Sequence, residues 1–485
     1  MSDGRCAAFL VLVAFLARFV TFLGTLIFGT DGGQFLFMAD RMREARFHEA
    51  LSVTYHPLYP LLAAASGTLL GSTEQAGFWV SMVLGSGAVL PLFSLARAVF
   101  GRPAAFLTGL LFAFHPFTVD LHADVMTEAT FTFFLFWAMG LAWKALEQPS
   151  LESAVLASLS AAAAFLTRAE GLAAMVLVPA WQIVELLRRR DRWAVRLGGV
   201  GAGLAAMGLL VFPFLVWVRS VHPEKKWALS AKQSVSRASS LSAPAEDMPE
   251  DAPAKRRGIM ANRYARLAVS AARQLYVVGI PFFLLGCWSL RGFAERGILF
   301  YFSFPLLHLG GLMWGLRNVP YMSYRYVVPP MNLLSVVTAL GLLETVRFLA
   351  RRAPGRRGIL AAQVLVLVVA VAPGVRAFGI HRAEENVARE AAAWIRAQGG
   401  PGRGVCSTLD QVGYLSGTRN LWFAPTYEMF REDLDRGRAD FLVYTDRDLA
   451  SGRPAYLDRL RECDRLEPPV EIPGRRIVYL QRVRR

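Results

Sequence analysis

Long apolar runs recur through the first three quarters of this 485-residue chain and limit its possible folds more than any other feature. A run of about 20 apolar residues is long enough to cross the hydrocarbon core of a bilayer as a helix. The chain is 54% hydrophobic and 19% charged, with a mean hydropathy of +0.37, whereas soluble chains are usually less apolar and more charged. The pattern therefore predicts an α-helical polytopic membrane protein.

The apolar runs predict about 11 transmembrane helices. They lie near residues 6–28, 76–97, 104–120, 129–146, 152–166, 171–187, 197–217, 273–290, 297–316, 326–348 and 358–379. A further apolar segment, 57–70, predicts a short half-embedded helix in the first loop. The first run is long for a signal-peptide core and has no small-residue cleavage site before Asp31, so we expect a retained helix.

Basic residues set the predicted orientation of these helices. With the N-terminus in the cytoplasm, each short cytoplasmic loop is basic, as the positive-inside rule requires; one of them follows Lys144, and four others are rich in arginine. These loops are 97–102, 188–192, 291–296 and 351–357. Treating 57–70 as a full span would invert the later helices and place two arginine clusters outside, so we reject it. The same distribution accounts for the net charge of +16 without nucleic acid. We expect a multi-pass inner (plasma) membrane protein.

Two segments outside the spans have their own character. The loop 219–265 is long, polar and rich in Ser, Ala and Pro, which predicts a mobile outer loop that acts as a lid. The tail 381–485 alternates short strand and helix patterns, with strands predicted at 404–407, 441–444 and 476–480, so we expect a small extracytoplasmic α/β domain following a transmembrane domain at 1–380. Cys406 and Cys463 lie in this tail, and their pairing depends on an oxidising compartment.

The first loop combines an acid, an amphipathic helix and a proline-rich turn. Asp31 follows the first apolar run directly, and the two glycines after it allow a sharp turn. Apolar residues then recur at three- and four-residue spacing, which predicts a helix in the membrane surface with Phe35, Met38, Ala39, Met42 and Ala45 on one face. The stretch closes in His56-Pro-Leu-Tyr59-Pro.

Polar residues are predicted to gather at the outer membrane face. Ionisable groups at membrane depth are costly and therefore mark candidate functional sites. The predicted set is Asp31, His56, Tyr59, Asp124, Glu128, Arg168, Glu170, Arg317, Arg325 and Tyr326. A purely structural alternative pairs Arg168 with Glu170 and lets Arg325 reach the interface. Arg18 lies in the middle of the first helix and needs an internal partner.

The chemistry that suits these residues is transfer of a group from an anionic leaving group. Carboxylates can take the proton of an acceptor, and arginine and histidine can hold a phosphate. The alternative function is a multi-span transporter or lipid flippase with a charged outer vestibule. A transporter usually shows internal repeats and polar residues along a path, whereas here they crowd one face and no repeat is evident.

The chain resembles the membrane-embedded, polyprenyl-phosphate-dependent glycosyltransferases of the GT-C fold. It looks most like family 39, which includes protein O-mannosyltransferase-like proteins and the aminoarabinose transferases. The matching pieces are DGGQF after the first helix, HPLYP, MTE at 126–128, LTRAEGL at 166–172 and RYVVPP at 325–330. The resemblance implies transfer from a polyprenyl-phosphate sugar to a protein, lipid or glycan. The family usually has a second acid where Gly32 stands, a tyrosine where Phe35 stands and, in the aminoarabinose transferases, a lysine where His56 stands.

The resemblance and the residue chemistry together predict roles for nine side chains. The catalytic acids are Asp31, as general base in an inverting reaction, and Glu128. The donor phosphate is held by His56, Arg168, Arg325 and Tyr326, and Tyr59, Asp124 and Glu170 position the substrates. No metal ligand is predicted, although the departures from the family leave the use of a divalent cation and the donor sugar open. The expected partners are the lipid-linked donor, the acceptor and membrane lipids.

Overall fold

The computed structural model describes residues 2–52, 55–189, 191–221, 253–316, 323–353, 355–381, 386–422, 427–445, 454–473 and 477–484. These residues form two compact units. One takes in the described residues of Met1–Leu23, Thr54–Ser230 and Arg257–Gly379, and the other those of Gly24–Val53, Ala231–Arg256 and Ile380–Arg485. The predicted lid, 219–265, lies mostly outside the described residues, as does Arg317. The predicted domain division at residue 380 stays a prediction.

The described residues of the first unit form helices joined by turns. Its helices are Asp3–Leu23, Leu58–Leu70, Thr73–Gly87, Val89–Phe100, Arg102–Phe114, Pro116–His122, Glu128–Glu147, Leu151–Thr167, Leu172–Arg188, Trp193–Val221, Pro253–Ser289 (from Arg257 on), Glu295–Gly315, Val328–Arg352 and Arg356–Val366. A π turn, Leu367–Val371, and a 3₁₀ segment, Ala372–Phe378, extend the last of these. The half-embedded helix predicted at 57–70 corresponds to Leu58–Leu70.

Eight of the described helices are long and apolar enough to cross a membrane, or up to ten if two bent helix pairs each form one span. This confirms the predicted fold class, a polytopic helical membrane protein with a small C-terminal sheet. The sequence predicted about 11 transmembrane helices, which is more than the structure shows in its described residues. One reason is that the span predicted at 152–166 is the 17-residue helix Leu151–Thr167, which lies at the lower limit for crossing a bilayer.

Both bent pairs correct a prediction of a continuous helix. The span predicted at 104–120 consists of Arg102–Phe114 and Pro116–His122, which meet at 60°. Pro116 has no N–H and disfavours helical geometry at the residue before it, and His115 is accordingly extended, with φ −65° and ψ 112°. The span predicted at 273–290 is bent by 94° at Tyr276, whose φ is +51°.

Arg18 has the internal partners that its position requires. Its side chain is fully buried, and its Nη1 donates to the carbonyl oxygens of Ala14 at 2.9 Å and Ala113 at 3.4 Å. Its Nη2 lies 3.3 Å from Nδ1 of His122, and its guanidinium lies 5.2 Å from the Phe112 ring centroid. The contacts join the first helix to the bent helix pair, so Arg18 is a structural charge of the helical core.

The second unit contains a five-stranded mixed sheet. The strands are β1 Gly404–Ser407, β2 Arg419–Trp422, β3 Phe441–Thr445, β4 Val470–Ile472 and β5 Val478–Arg482, in the order β2-β1-β3-β5-β4. The first three pair in parallel, whereas β5 is antiparallel to both of its neighbours. The sequence predicted β1, β3 and β5. The two missed strands are the short edges of the sheet, where three or four residues carry little alternation.

The helices of this unit come from the first loop and the tail. They are Gly32–Arg43, Phe47–Ser52, Val387–Ala397, Gln411–Ser416, Tyr427–Asp435 and Pro454–Arg461. The predicted surface helix of the first loop buries Phe35, Met38, Ala39 and Met42 as expected. Ala45 does not share this face, because it follows the helix end with φ +59° and is exposed. Cys406 and Cys463 are both free thiols.

Candidate functional site

Two sharp turns in the first unit present the charged residues of the site. Arg168 ends the helix Leu151–Thr167 in an extended conformation, and a 3₁₀ turn, Ala169–Gly171, follows it. The turn packs so closely on the helix end that a Cβ on Gly171 would lie 2.3 Å from the backbone nitrogen of Phe165. Glycine is therefore required there. The tight turn brings the side chains of Arg168 and Glu170 close enough to form an ion pair.

Glu128 forms the centre of the site. It is the first residue of its helix and its side chain is only 1% exposed. Nη1 of Arg168 donates to its Oε1 at 2.8 Å and also to the hydroxyl of Thr127 at 2.9 Å, while Nη2 of Arg168 donates to Oε1 of Glu170 at 3.0 Å. A buried carboxylate is costly unless it is paired, so these contacts account for the position of Arg168.

Arg325 and Tyr326 reach the same carboxylate from another segment. They lie in the 3₁₀ turn Tyr324–Val327, where the Ser323 hydroxyl accepts from the backbone N–H of Arg325. Nη1 of Arg325 lies 3.8 Å from Oε1 of Glu128, and the guanidinium of Arg168 lies 5.4 Å from the Tyr326 ring centroid. The structure thus brings together five of the nine predicted residues: Glu128, Arg168, Glu170, Arg325 and Tyr326.

Tyr59 and Asp124 are buried, and their side chains form hydrogen bonds with the backbone or with Ser81 close to the start of the Glu128 helix. The Tyr59 hydroxyl donates to the Gly77 carbonyl at 3.1 Å, and the Ser81 hydroxyl lies 3.2 Å from both Tyr59 Oη and the Met126 carbonyl. Oδ1 of Asp124 accepts from the N–H of Val125 at 2.7 Å. These bonds shape the 124–127 turn that leads into Glu128.

His56 lies in an aromatic setting within the same unit. Its ring centroid is 5.2 Å from that of Phe165 and 5.3 Å from that of Phe214. Phe165 is three residues before Arg168 in the chain. The contacts with two phenylalanine rings fix the orientation of the imidazole by packing.

Asp31 belongs to the second unit, where a second acid accompanies it. Its backbone carbonyl starts the helix Gly32–Arg43, but its side chain makes no hydrogen bond to the first turn of that helix. Asp410 precedes the helix Gln411–Ser416, and a Cβ on Gly33 would lie 3.3 Å from the Asp410 carbonyl oxygen. Nε2 of Gln411 donates to the Phe28 carbonyl at 3.3 Å, which holds the two segments together. Asp410 occurs in the tail, so sequence reasoning missed it.

The two acids interact electrostatically. Burial first, and the neighbouring carboxylate of Asp31 second, raise the pKa of the Asp410 carboxyl to about 7, while a hydrogen bond from Asn420 acts in the opposite direction. The ordinary value is 3.8. Between these two pH values the folded chain keeps a proton that the unfolded chain has lost, so we expect the free energy of unfolding to fall as the pH rises.

An Asp410→Asn variant tests this linkage. At pH 8 the substitution removes a disfavoured charge, and we expect it to stabilise the protein by about 1–2 kcal/mol, a value discounted for partial exposure. At pH 4 the two proteins should unfold at the same temperature. Thermal unfolding in detergent from pH 4 to pH 8 measures the difference. Asp458→Asn, at an exposed position, is the control, and a constant offset between the Asp410→Asn and parent curves would contradict the linkage.

A small cleft lies beside the charged cluster. Glu170 and His308 are its polar lining, and the remaining lining is apolar and includes Leu135, Phe304 and Leu333. His308 was not predicted, since a lone histidine in an apolar run gives no signal of a site. In the part of the chain that the structure describes, no three His, Cys, Asp or Glu residues are grouped so as to hold a metal ion.

Comparison with known proteins gives one family match and several structural ones. The family described as dolichyl-phosphate-mannose-protein mannosyltransferase matches residues 55–217. No curated protein matches significantly. ArnT from Cupriavidus metallidurans bound to undecaprenyl phosphate is 15% identical, with 99% of this chain and 98% of that chain covered and a TM-score of 0.66. The Archaeoglobus fulgidus oligosaccharyltransferase in complex with Zn and sulfate is 12% identical, with 96% and 72% covered and a TM-score of 0.55.

At sequence identities of 12% and 15%, the similarity to the two solved structures establishes the fold of this chain. The matched family and both structures are glycosyltransferases of the GT-C class, so the resemblance drawn from the sequence motifs is confirmed. The family match contains Glu128, Arg168 and Glu170, and it ends before Arg325 and Tyr326.

Proposed function

We propose that this GT-C-fold membrane protein transfers a glycosyl group from a polyprenyl-phosphate-linked sugar to a protein, lipid or glycan acceptor at the outer membrane face. The observation that carries the proposal is the buried carboxylate of Glu128, which is bound by Arg168 and faced by Arg325 from a separate turn. Two guanidinium groups held this way suit a phosphate that gains charge as it leaves. The family match and the solved structure bound to undecaprenyl phosphate also support it.

In this reaction the acceptor oxygen attacks the anomeric carbon on the face opposite the phosphate. The bond between the anomeric carbon and the phosphate oxygen breaks, its electron pair leaves with the polyprenyl phosphate, and the configuration inverts. Asp31 takes the proton of the acceptor hydroxyl, because an un-ionised hydroxyl is a poor nucleophile. We assign Glu128 to positioning the two arginines, since one of its oxygens already accepts from Arg168.

The remaining predicted residues support these steps. His56 and Tyr326 contact the donor phosphate together with Arg168 and Arg325, and Tyr59, Asp124 and Glu170 shape the surrounding turns. The proposed orientation follows from the arginine-rich loops, with the N-terminus in the cytoplasm and the tail outside.

Purified protein in lipid, incubated with labelled polyprenyl-phosphate sugars and cell-envelope acceptors, tests the proposed activity. We expect label to move from the lipid to an acceptor, together with release of polyprenyl phosphate. Movement of intact labelled lipid between the leaflets, without cleavage, would instead identify a flippase.

Arg325→Ala tests the assignment of the donor phosphate. Nη1 of Arg325 lies 3.8 Å from Oε1 of Glu128, in the same cluster as Arg168, and a donor phosphate bound there would accept from its guanidinium. Loss of one charge-assisted bond of about 1.5–3 kcal/mol should lower kcat/KM for the donor by about 10- to 100-fold. Arg291→Ala is the control, because Arg291 lies on Trp288 in a predicted cytoplasmic loop. Parent-like kinetics in Arg325→Ala would remove this residue from the site.

A further inference from the structure

His308 is a buried polar residue in the middle of an apolar helix. It lies in Glu295–Gly315 and is 8% exposed. Its Nε2 is 3.0 Å from the carbonyl oxygen of Tyr326. A carbonyl oxygen only accepts hydrogen bonds, so this contact requires the tautomer with hydrogen on Nε2.

The sequence after Tyr326 explains why this bond is needed. In a continuing helix the Tyr326 carbonyl would accept from the N–H of residue 329 or 330, but both are proline and have no N–H. By contrast, the neighbouring Arg325 carbonyl accepts from the N–H of Val328. The two prolines therefore leave the Tyr326 carbonyl without a donor from its own helix, and His308 supplies one from another helix.

The bonded carbonyl lies in the turn that carries two site residues. Arg325 and Tyr326 both belong to Tyr324–Val327, and the Tyr326 ring lies under the guanidinium of Arg168. His308 also lines the small cleft together with Glu170, the ion-pair partner of Arg168. His308 thus contacts the Arg325 turn and shares a cleft with the Arg168 turn.

We propose that His308 is a positioning residue for the donor-phosphate site, which acts by donating its Nε2–H to the Tyr326 carbonyl and so fixing Arg325 and Tyr326. The inference rests on the proposed transferase function for its kinetic consequence. It assigns no direct contact between His308 and the substrate. A core histidine that only fills space would have no such effect on the turn.

His308→Leu and His308→Gln separate the hydrogen bond from packing. Leucine fills the site without a donor, whereas the glutamine amide nitrogen can reach a position similar to that of Nε2. With a polyprenyl-phosphate sugar as donor, we expect His308→Leu to raise KM for the donor at least tenfold with a smaller change in kcat, and His308→Gln to stay within threefold of the parent. Equal KM values for the leucine variant and the parent would overturn the proposal.

A second-site change gives a sharper test. Pro330→Ala restores a backbone N–H four residues after Tyr326, so His308→Leu/Pro330→Ala should recover the donor KM that His308→Leu loses. The Pro330→Ala single variant is the matched control. If the double variant is no better than His308→Leu, although both fold, the carbonyl bond is not what positions the turn.

Hydrogen exchange of the 324–328 amides keeps this inference distinct from the proposed function. We expect faster exchange in His308→Leu, and parent-like exchange in His308→Gln and in the double variant. If exchange is faster in His308→Leu but the parent neither transfers sugar nor binds undecaprenyl phosphate, the transferase proposal is overturned while the role of His308 in the turn stands. Unchanged exchange in His308→Leu overturns that role itself.

Discussion

Asp31→Asn is expected to lower the transfer rate by about 10²- to 10⁴-fold, the usual loss when a general base is removed. Asparagine keeps the size of the side chain and one hydrogen-bonding oxygen, but it cannot take the proton of an acceptor. The alternative role for Asp31 is to cap the helix Gly32–Arg43. Its side chain makes no hydrogen bond to the first turn of that helix, which argues against this capping role.

The measurement is single-turnover transfer with donor binding determined in parallel. Asp40→Asn, on the same helix, is the matched control and should transfer at the parent rate. A folded Asp31→Asn protein that binds donor and still transfers sugar near the parent rate would show that Asp31 is not the base. Because Asp410 lies beside Asp31, the substitution should also lower the pKa of Asp410 toward its ordinary value.

Arg168→Ala is expected to destabilise the protein by about 3–5 kcal/mol, the usual cost of breaking a buried ion pair. The reason is that Glu128, 1% exposed, loses a hydrogen bond of 2.8 Å and keeps two longer contacts, with Arg325 at 3.8 Å and with the Thr127 hydroxyl at 3.5 Å. Glu170 loses its ion-pair partner in the same substitution. We also expect transfer to fall below detection, since Arg168 is assigned to the donor phosphate.

A double variant separates stability from function. Arg168→Ala/Glu128→Gln removes the more deeply buried of the two uncompensated charges, so it should recover part of the lost stability while transfer stays absent. Chemical unfolding in detergent measures the first quantity and the labelled-sugar assay the second. Arg347→Ala, which breaks an exposed pair with Glu344, is the control and should cost no more than about 1 kcal/mol. Equal stability of Arg168→Ala and the parent would contradict the buried-pair account.

Much of the architecture follows from local pattern. The apolar runs predicted the membrane class, and the alternation in the tail predicted β1, β3 and β5 of the small sheet. The motifs MTE, LTRAEGL and RYVVPP contain the five residues that meet at Glu128. Each of these signals lies within a short stretch, so sequence reading can detect it without knowledge of distant partners.

The sequence also places Asp31 directly after the first apolar run, which is the basis for its predicted role. Its partner in the structure was not evident from the sequence. Asp410 is 379 residues later in the chain, directly before a tail helix that packs on Gly33. A pair of acids at that separation leaves no periodic or local signal.

What the sequence determined by itself was the membrane class, the arginine-rich loops and the identities of the charged turns. Only the tertiary structure decided which charges share a carboxylate, where helices bend and which donors reach orphaned carbonyls. His308 illustrates the difference. Pro329 and Pro330 show in the sequence that the Tyr326 carbonyl lacks two helical donors, but the side chain that donates to it comes from another helix. Local chemistry defines which groups need a partner, and packing of distant segments determines which partner they have.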